Sequence, residues 1–136
     1  MKYALAFLIS TFYFVAHSQI KKEYFENGQL KSSINYENGQ MNGLAKGYYQ
    51  NGQLRAEGSM KKGQQEGLWK MWFENGNLDK EIVFKDGKES GDMKFYYSNG
   101  QLWQSMEQVD GHKNGWDREW SSGGMLEREQ FFKDGK

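Results

Sequence analysis

The chain has 136 residues, with 18 basic and 18 acidic side chains, 17 glycines, 22 aromatic residues, and neither cysteine nor proline. This length suits one domain, and the charge balance gives no general drive toward nucleic acid or an anionic membrane. The lack of cysteine excludes disulfides, thiolate catalysis and Cys-based metal sites.

The N-terminus differs in character from the remainder of the chain. Lys2 supplies a positive start, Tyr3 to Val15 form a mostly apolar run, and Ala16-His17-Ser18 places small residues before Gln19. This is the layout of a signal-peptide helix over 1–18, and the run is short for a bilayer span of roughly 20 residues. The expectation is cleavage near Ser18/Gln19 and export to the periplasm, cell surface or medium; an uncleaved anchor is the alternative. Residue 19 is not cysteine, so a lipid-modified N-terminus is not indicated.

From residue 19 the glycines keep a period of 24 residues. Gly28, Gly52, Gly76, Gly100 and Gly124 form one series; Gly39, Gly63, Gly87, Gly111 and Gly135 a second; Gly43, Gly67, Gly91 and Gly115 a third. A fixed period of this size marks a stacked repeat array. Counted in that frame, five copies occupy 19–42, 43–66, 67–90, 91–114 and 115–136.

Each copy reads as two strands and two turns. The first turn carries Asn27-Gly28, Asn51-Gly52, Asn75-Gly76 and Asn99-Gly100, with Gly123-Gly124 in the last copy. Asn-Gly between alternating apolar residues predicts a two-residue hairpin turn with positive φ at both positions. The second turn, such as Asp86 to Gly91, reads as longer. Segments between turns alternate like strands, with Leu78, Ile82 and Phe84 placed on one face. A helical reading fails because no segment between glycines is long enough, and Gly inside a helix costs about 1 kcal/mol. The expected fold is all-β: an elongated, twisted antiparallel sheet of five β-hairpin repeats.

Three ring columns follow the same period: Tyr24, Tyr48, Trp72, Tyr96 and Trp120; Phe25, Tyr49, Phe73 and Tyr97; Tyr36, Phe84 and Phe132. Stacked from copy to copy, they are expected to supply most of the apolar burial of a thin sheet. The last copy turns polar at Ser121 and Gln130, as a capping repeat should.

A basic column, Lys22, Lys46, Lys70, Lys94 and Arg118, precedes the first rings by two residues. Lys22/Tyr24, Lys46/Tyr48, Lys70/Trp72, Lys94/Tyr96 and Arg118/Trp120 would then share a face. Copies roughly 9–10 Å apart would line them into a cation–ring stripe suited to an anionic or sugar-containing polymer. The alternative is that the Lys stems cover ring faces and their heads point to water. Glu57, Glu81 and Glu129 fall on the opposite sequence parity, which suggests that they leave the stripe unneutralised. No pattern calls for catalysis, a metal or a cofactor. The single His after residue 18, His112, falls in a turn.

The run from Gly67 through Trp69, Trp72, Phe73, Asn75-Gly76 and Leu78, followed by Phe84, Gly87 and Gly91, resembles the MORN repeat variant. Ala45, Met93 and Asp117 depart from it where Trp69 satisfies it. The resemblance implies a hairpin array without catalytic residues and with scaffold or membrane-associated roles. Many bacterial members carry the label of a YwqK-type antitoxin. Three functions follow as expectations: an exported module binding a protein or envelope component along one face, an antitoxin or immunity protein that sequesters a toxin, and a cell-surface glycan binder. Open edge strands also suggest edge-to-edge self-association.

Overall fold

The computed structural model describes residues 17–136. The expected leader, apart from its last two residues, lies outside them. Ten strands follow one another: β1 (Ser18–Tyr24), β2 (Leu30–Glu37), β3 (Gln40–Tyr48), β4 (Leu54–Lys61), β5 (Gln64–Trp72), β6 (Leu78–Lys85), β7 (Lys88–Tyr96), β8 (Leu102–Val109), β9 (His112–Trp120) and β10 (Leu126–Phe132). They form one open antiparallel sheet in sequence order, and no helix occurs among the described residues. The all-β hairpin array expected from the period is the fold.

The two turn types exchange roles. The tight turns are Asn38-Gly39, Lys62-Gly63, Asp86-Gly87 and Asp110-Gly111, where the first residue has φ of 50–51° and the glycine 77–82°. Positive φ at both positions matches the right-handed twist of a hairpin, and Asn and Asp tolerate it best among residues with a side chain. The third glycine series belongs to no turn. Gly43, Gly67, Gly91 and Gly115 lie inside strands with φ of 72–108°, and the ladder shifts register beside them. The glycine frame therefore cuts at 42/43, inside β3, whereas the hairpins begin at the tight turns.

Asn27-Gly28 and its copies occupy a five-residue loop between strands instead. Only the glycine has positive φ there. Phe25 N donates to Gln29 O at 2.8 Å, Gly28 N to Phe25 O at 2.9 Å, and Gln29 N to Asn27 Oδ1 at 3.1 Å. The asparagine contributes its side-chain acceptor to a local turn, and its own φ stays outside the positive region.

One row across the sheet forms the core. Ile34 pairs with Ala45, Ala45 with Gly58, Trp69 with Ile82, Ile82 with Met93, Met93 with Met106, and Met106 with Asp117. Ala45, Trp69, Ile82, Phe84 and Met93 are buried, with Ile34, Met60, Phe95 and Met106 packed against them. Leu78 leaves this face. An extra residue, Asp79, sets it opposite Trp72, and one inserted residue reverses the side to which a strand position points.

The rings do not stack within their columns. The ring pairs among the described residues are Trp69–Phe84, Phe95–Trp103, Tyr97–Trp103 and Trp116–Phe131, and none joins two members of one column. A column links its copies by polar contacts instead. Tyr49 Oη donates to Trp72 O at 2.7 Å, and Tyr97 Oη to Trp120 O at 3.0 Å.

Candidate binding faces

The five cations do form a row, but with acids between them. Lys22 pairs with Ser33, Ser33 with Lys46, Lys46 with Glu57, Glu57 with Lys70, Lys70 with Glu81, Glu81 with Lys94, Lys94 with Ser105, Ser105 with Arg118, and Arg118 with Glu129. The five-residue loop sets Tyr48 opposite Leu54, both even-numbered. The extra residue Arg55 then reverses parity, so that Gly47 meets Ala56, and Lys46 and Glu57 are direct cross-strand partners on one face. This corrects the unneutralised stripe: Lys46 Nζ lies 2.9 Å from Glu57, Lys70 Nζ 3.1 Å from Glu81, and Arg118 pairs with Glu129. Lys22 and Lys94 have Ser33 and Ser105 across from them. The row is a zipper of alternating charge, and a long polyanion gains little from it.

The electrostatics agree. The hydrogen bond that Lys46 donates to Glu57, and then the charge of Glu57, raise the Lys46 pKa. Burial pushes the Glu81 carboxyl upward, but hydrogen bonds from Tyr96 and Lys70 and the charges of Lys70 and Lys94 outweigh it and hold it below the usual range. Tyr96 Oη donates to Glu81 Oε2 at 2.9 Å, and burial together with that carboxylate pushes the phenol up to about 12. Of the rings beside the row, Tyr24 is exposed on the edge strand, while Tyr48, Trp72, Tyr96 and Trp120 are half-buried. Each pairs with a leucine: Leu30, Leu54, Leu78, Leu102 and Leu126 in turn.

The turn residues are structural. Asn51, Asn75 and Asn99 each accept from the backbone two residues on and donate to the next copy, at Glu74 O, Ser98 O and Ser122 O. Asn27 makes the local bond. At the opposite end, Gly63 N donates to Met41 O and Gly87 N to Gln65 O, which ties these two tight turns to the preceding copy.

The core face carries two features that pattern reading missed. The first is an open groove of about 670 Å³ lined by Ile34, Met41, Ala45, Met60 and Trp69, with the turns at Gly63 and Gly87 on its rim. Its origin is local: Ala45 stands where the next copy has Trp69, so a methyl takes the place of an indole. The departure of Ala45 from the repeat pattern was the available signal.

The second is a polar cluster at the far end of the core row. Asp117 is 1% exposed and accepts from Gln104 at 2.8 Å and from Lys113 at 2.6 Å, with Arg128 at 3.5 Å. Arg128 also pairs with Glu119. Burial raises the Asp117 pKa, but Lys113, Gln104 and Arg128 together bring it below the ordinary value. Glu119 is lowered chiefly by its hydrogen bond from Arg128. Every charge here is partnered, so the cluster reads as a satisfied end to the core.

His112 is exposed at the start of β9. Among the described residues no group of three or more His, Asp or Glu side chains could hold a metal ion. No helix among them is long and apolar enough to cross a membrane.

No curated protein matches the chain. The family model described as MORN repeat variant matches residues 20–38, 41–62, 65–86 and 89–109, each a strand–loop–strand unit that ends at a tight turn. The fifth hairpin, β9–β10, lies beyond the match and pairs in the same manner. With more than half of its length matched copy by copy, the chain belongs to the MORN repeat variant family.

Proposed function

We propose that this chain is an exported, non-catalytic module that binds a partner protein or envelope component along one face of its sheet, and that this face carries the Ala45–Trp69 groove. The leader-like N-terminus supports export. The observation that carries the reading is the groove, where apolar side chains and turn backbone lie together on the core face. Along the opposite face Lys46, Lys70 and Arg118 are each paired with an acid, which suits a fixed register more than recognition of a charged polymer.

The test is affinity capture from envelope extract with the processed protein, compared with Ala45→Leu, which fills the groove, and with Lys46→Glu, which breaks a charge pair on the other face. Loss of the captured component with Ala45→Leu and its retention with Lys46→Glu is expected. Equal capture by both variants, each still folded by circular dichroism, would overturn the assignment of the face.

A further inference from the structure

The two edges of the sheet end in opposite charges at matching positions. The zipper row begins with Lys22 on β1 and closes with Glu129 on β10. An adjacent row on the core face begins with Glu23, which pairs with Ser32, and closes with Arg128, which pairs with Glu119. Inside the sheet each zipper acid lies between two cations, Glu57 between Lys46 and Lys70 and Glu81 between Lys70 and Lys94. Glu129 has only Arg118 beside it, and its other side is the open edge.

We propose that copies of this chain join head to tail, β10 of one against β1 of the next, in the register the repeat already uses. β8 meets β9 through Gln104↔Glu119, Ser105↔Arg118 and Met106↔Asp117. Advanced by one 24-residue copy and carried onto the next chain, those pairs become Arg128↔Glu23, Glu129↔Lys22 and Gln130↔Lys21. The joint thus forms two opposite-charge pairs, one on each face, and places no like charges directly opposite.

Apolar surface points the same way. Ile20 is 59% exposed on β1 and Phe131 56% exposed on β10, and both lie on the zipper face, where the joint brings them onto one surface. Every residue of β1 is exposed, and on β10 only Phe132 is half-buried. Among the described residues both strands are edges of the sheet, whose backbone groups are a ready template for another strand. The two surfaces differ, so the contact is heterologous. Each added copy leaves one head and one tail free, and the product is an open fibre.

The test is light scattering behind size exclusion over a concentration series, on the protein purified from its producing cells. Mass should rise with concentration and fall back as salt is added. Lys22→Glu should weaken association by roughly tenfold or more, because it sets two acids face to face. It removes no ion pair among the described residues, so its melting curve should match that of the parent protein. Added in small amounts to unaltered protein it should shorten the assemblies, since its β10 edge still joins while its β1 edge does not. Lys22→Glu combined with Glu129→Lys should restore association with itself. A mass of one chain at the highest soluble concentration would overturn the proposal. So would undiminished association of Lys22→Glu, which would signify like edges meeting, β10 against β10. If the double variant fails to fold, the mixing experiment alone decides.

Discussion

The indole of Trp69 on β5 lies against Gly58 on β4 so closely that a Cβ at Gly58 would stand 2.2 Å from Trp69 Cδ2. Gly58 belongs to none of the three periodic glycine series, and its φ needs no glycine. The ring needs it. Trp69 is held there by a bond from Nε1 to Ser59 O at 3.1 Å and by edge contact with Phe84, centroids 6.4 Å apart.

Gly58→Ala should therefore act as overpacking at the centre of the core row and cost about 2–3 kcal/mol. Trp69→Ala should cost about 3–5 kcal/mol by loss of the buried ring. In the double variant the added methyl meets no ring, so the combined loss should fall well short of the sum. Urea unfolding of the four proteins measures this coupling, and strict additivity would show that the two residues do not share a constraint.

Asn75 joins two copies through one side chain, accepting from Asn77 N at 3.0 Å and donating to Ser98 O at 2.9 Å. Asn75→Ala should cost about 1–2 kcal/mol, and the loss should show in hydrogen exchange at the loops of the third and fourth copies. Substitution at Asn27, which makes only the local bond, should cost less. Equal effects at both sites would contradict an interlocking role.

Lys62 has φ of 50° in a tight turn where the other copies have Asn or Asp. A long side chain gains nothing from that conformation, whereas Asn adopts it readily. Lys62→Asn should stabilise by about 0.5–1 kcal/mol and raise Tm by a few degrees. An unchanged or lowered Tm in a thermal scan would refute this.

Tyr96 and Glu81 set opposite ends of the pH range. The folded phenol has its pKa raised to about 12 against 10.0 in the free residue, so its contribution is complete below pH 10 and is lost as pH rises from there toward 12. Glu81 is lowered from 4.5, so its contribution is complete above that value and is lost as pH falls through the folded pKa. Tyr96→Phe should flatten the alkaline limb of the stability profile. It should also remove one late-titrating phenol from a spectrophotometric titration of the folded protein.

The period made the ten strands and their order legible, because glycine spacing alone divides the chain into hairpins. Three things were not legible, each for a physical reason. Asn-Gly serves equally as a two-residue turn and as part of a longer loop, and only the Asn75–Ser98 bond between copies shows why Asn is used. Parity across a hairpin depends on the loop's length and on any extra residue beside it, here Arg55, so whether Glu57 faced Lys46 waited on the register. Ala45 was visible as a departure from the repeat, but that it opens a groove beside Ile34, Met41 and Met60 depended on which side chains the register brings around it. Asp117, in the position of Trp69, was visible as an exception, but its partner Arg128 comes from a strand whose register had to be seen.

Because every strand lies beside its neighbours in sequence, nothing made early in synthesis waits for anything made late. As the chain leaves the ribosome each hairpin can settle on the one already formed, and growth continues by the same step each time. Copy number thereby becomes a dial that duplication or deletion of a single unit can turn, lengthening or shortening the molecule without redesign of what remains.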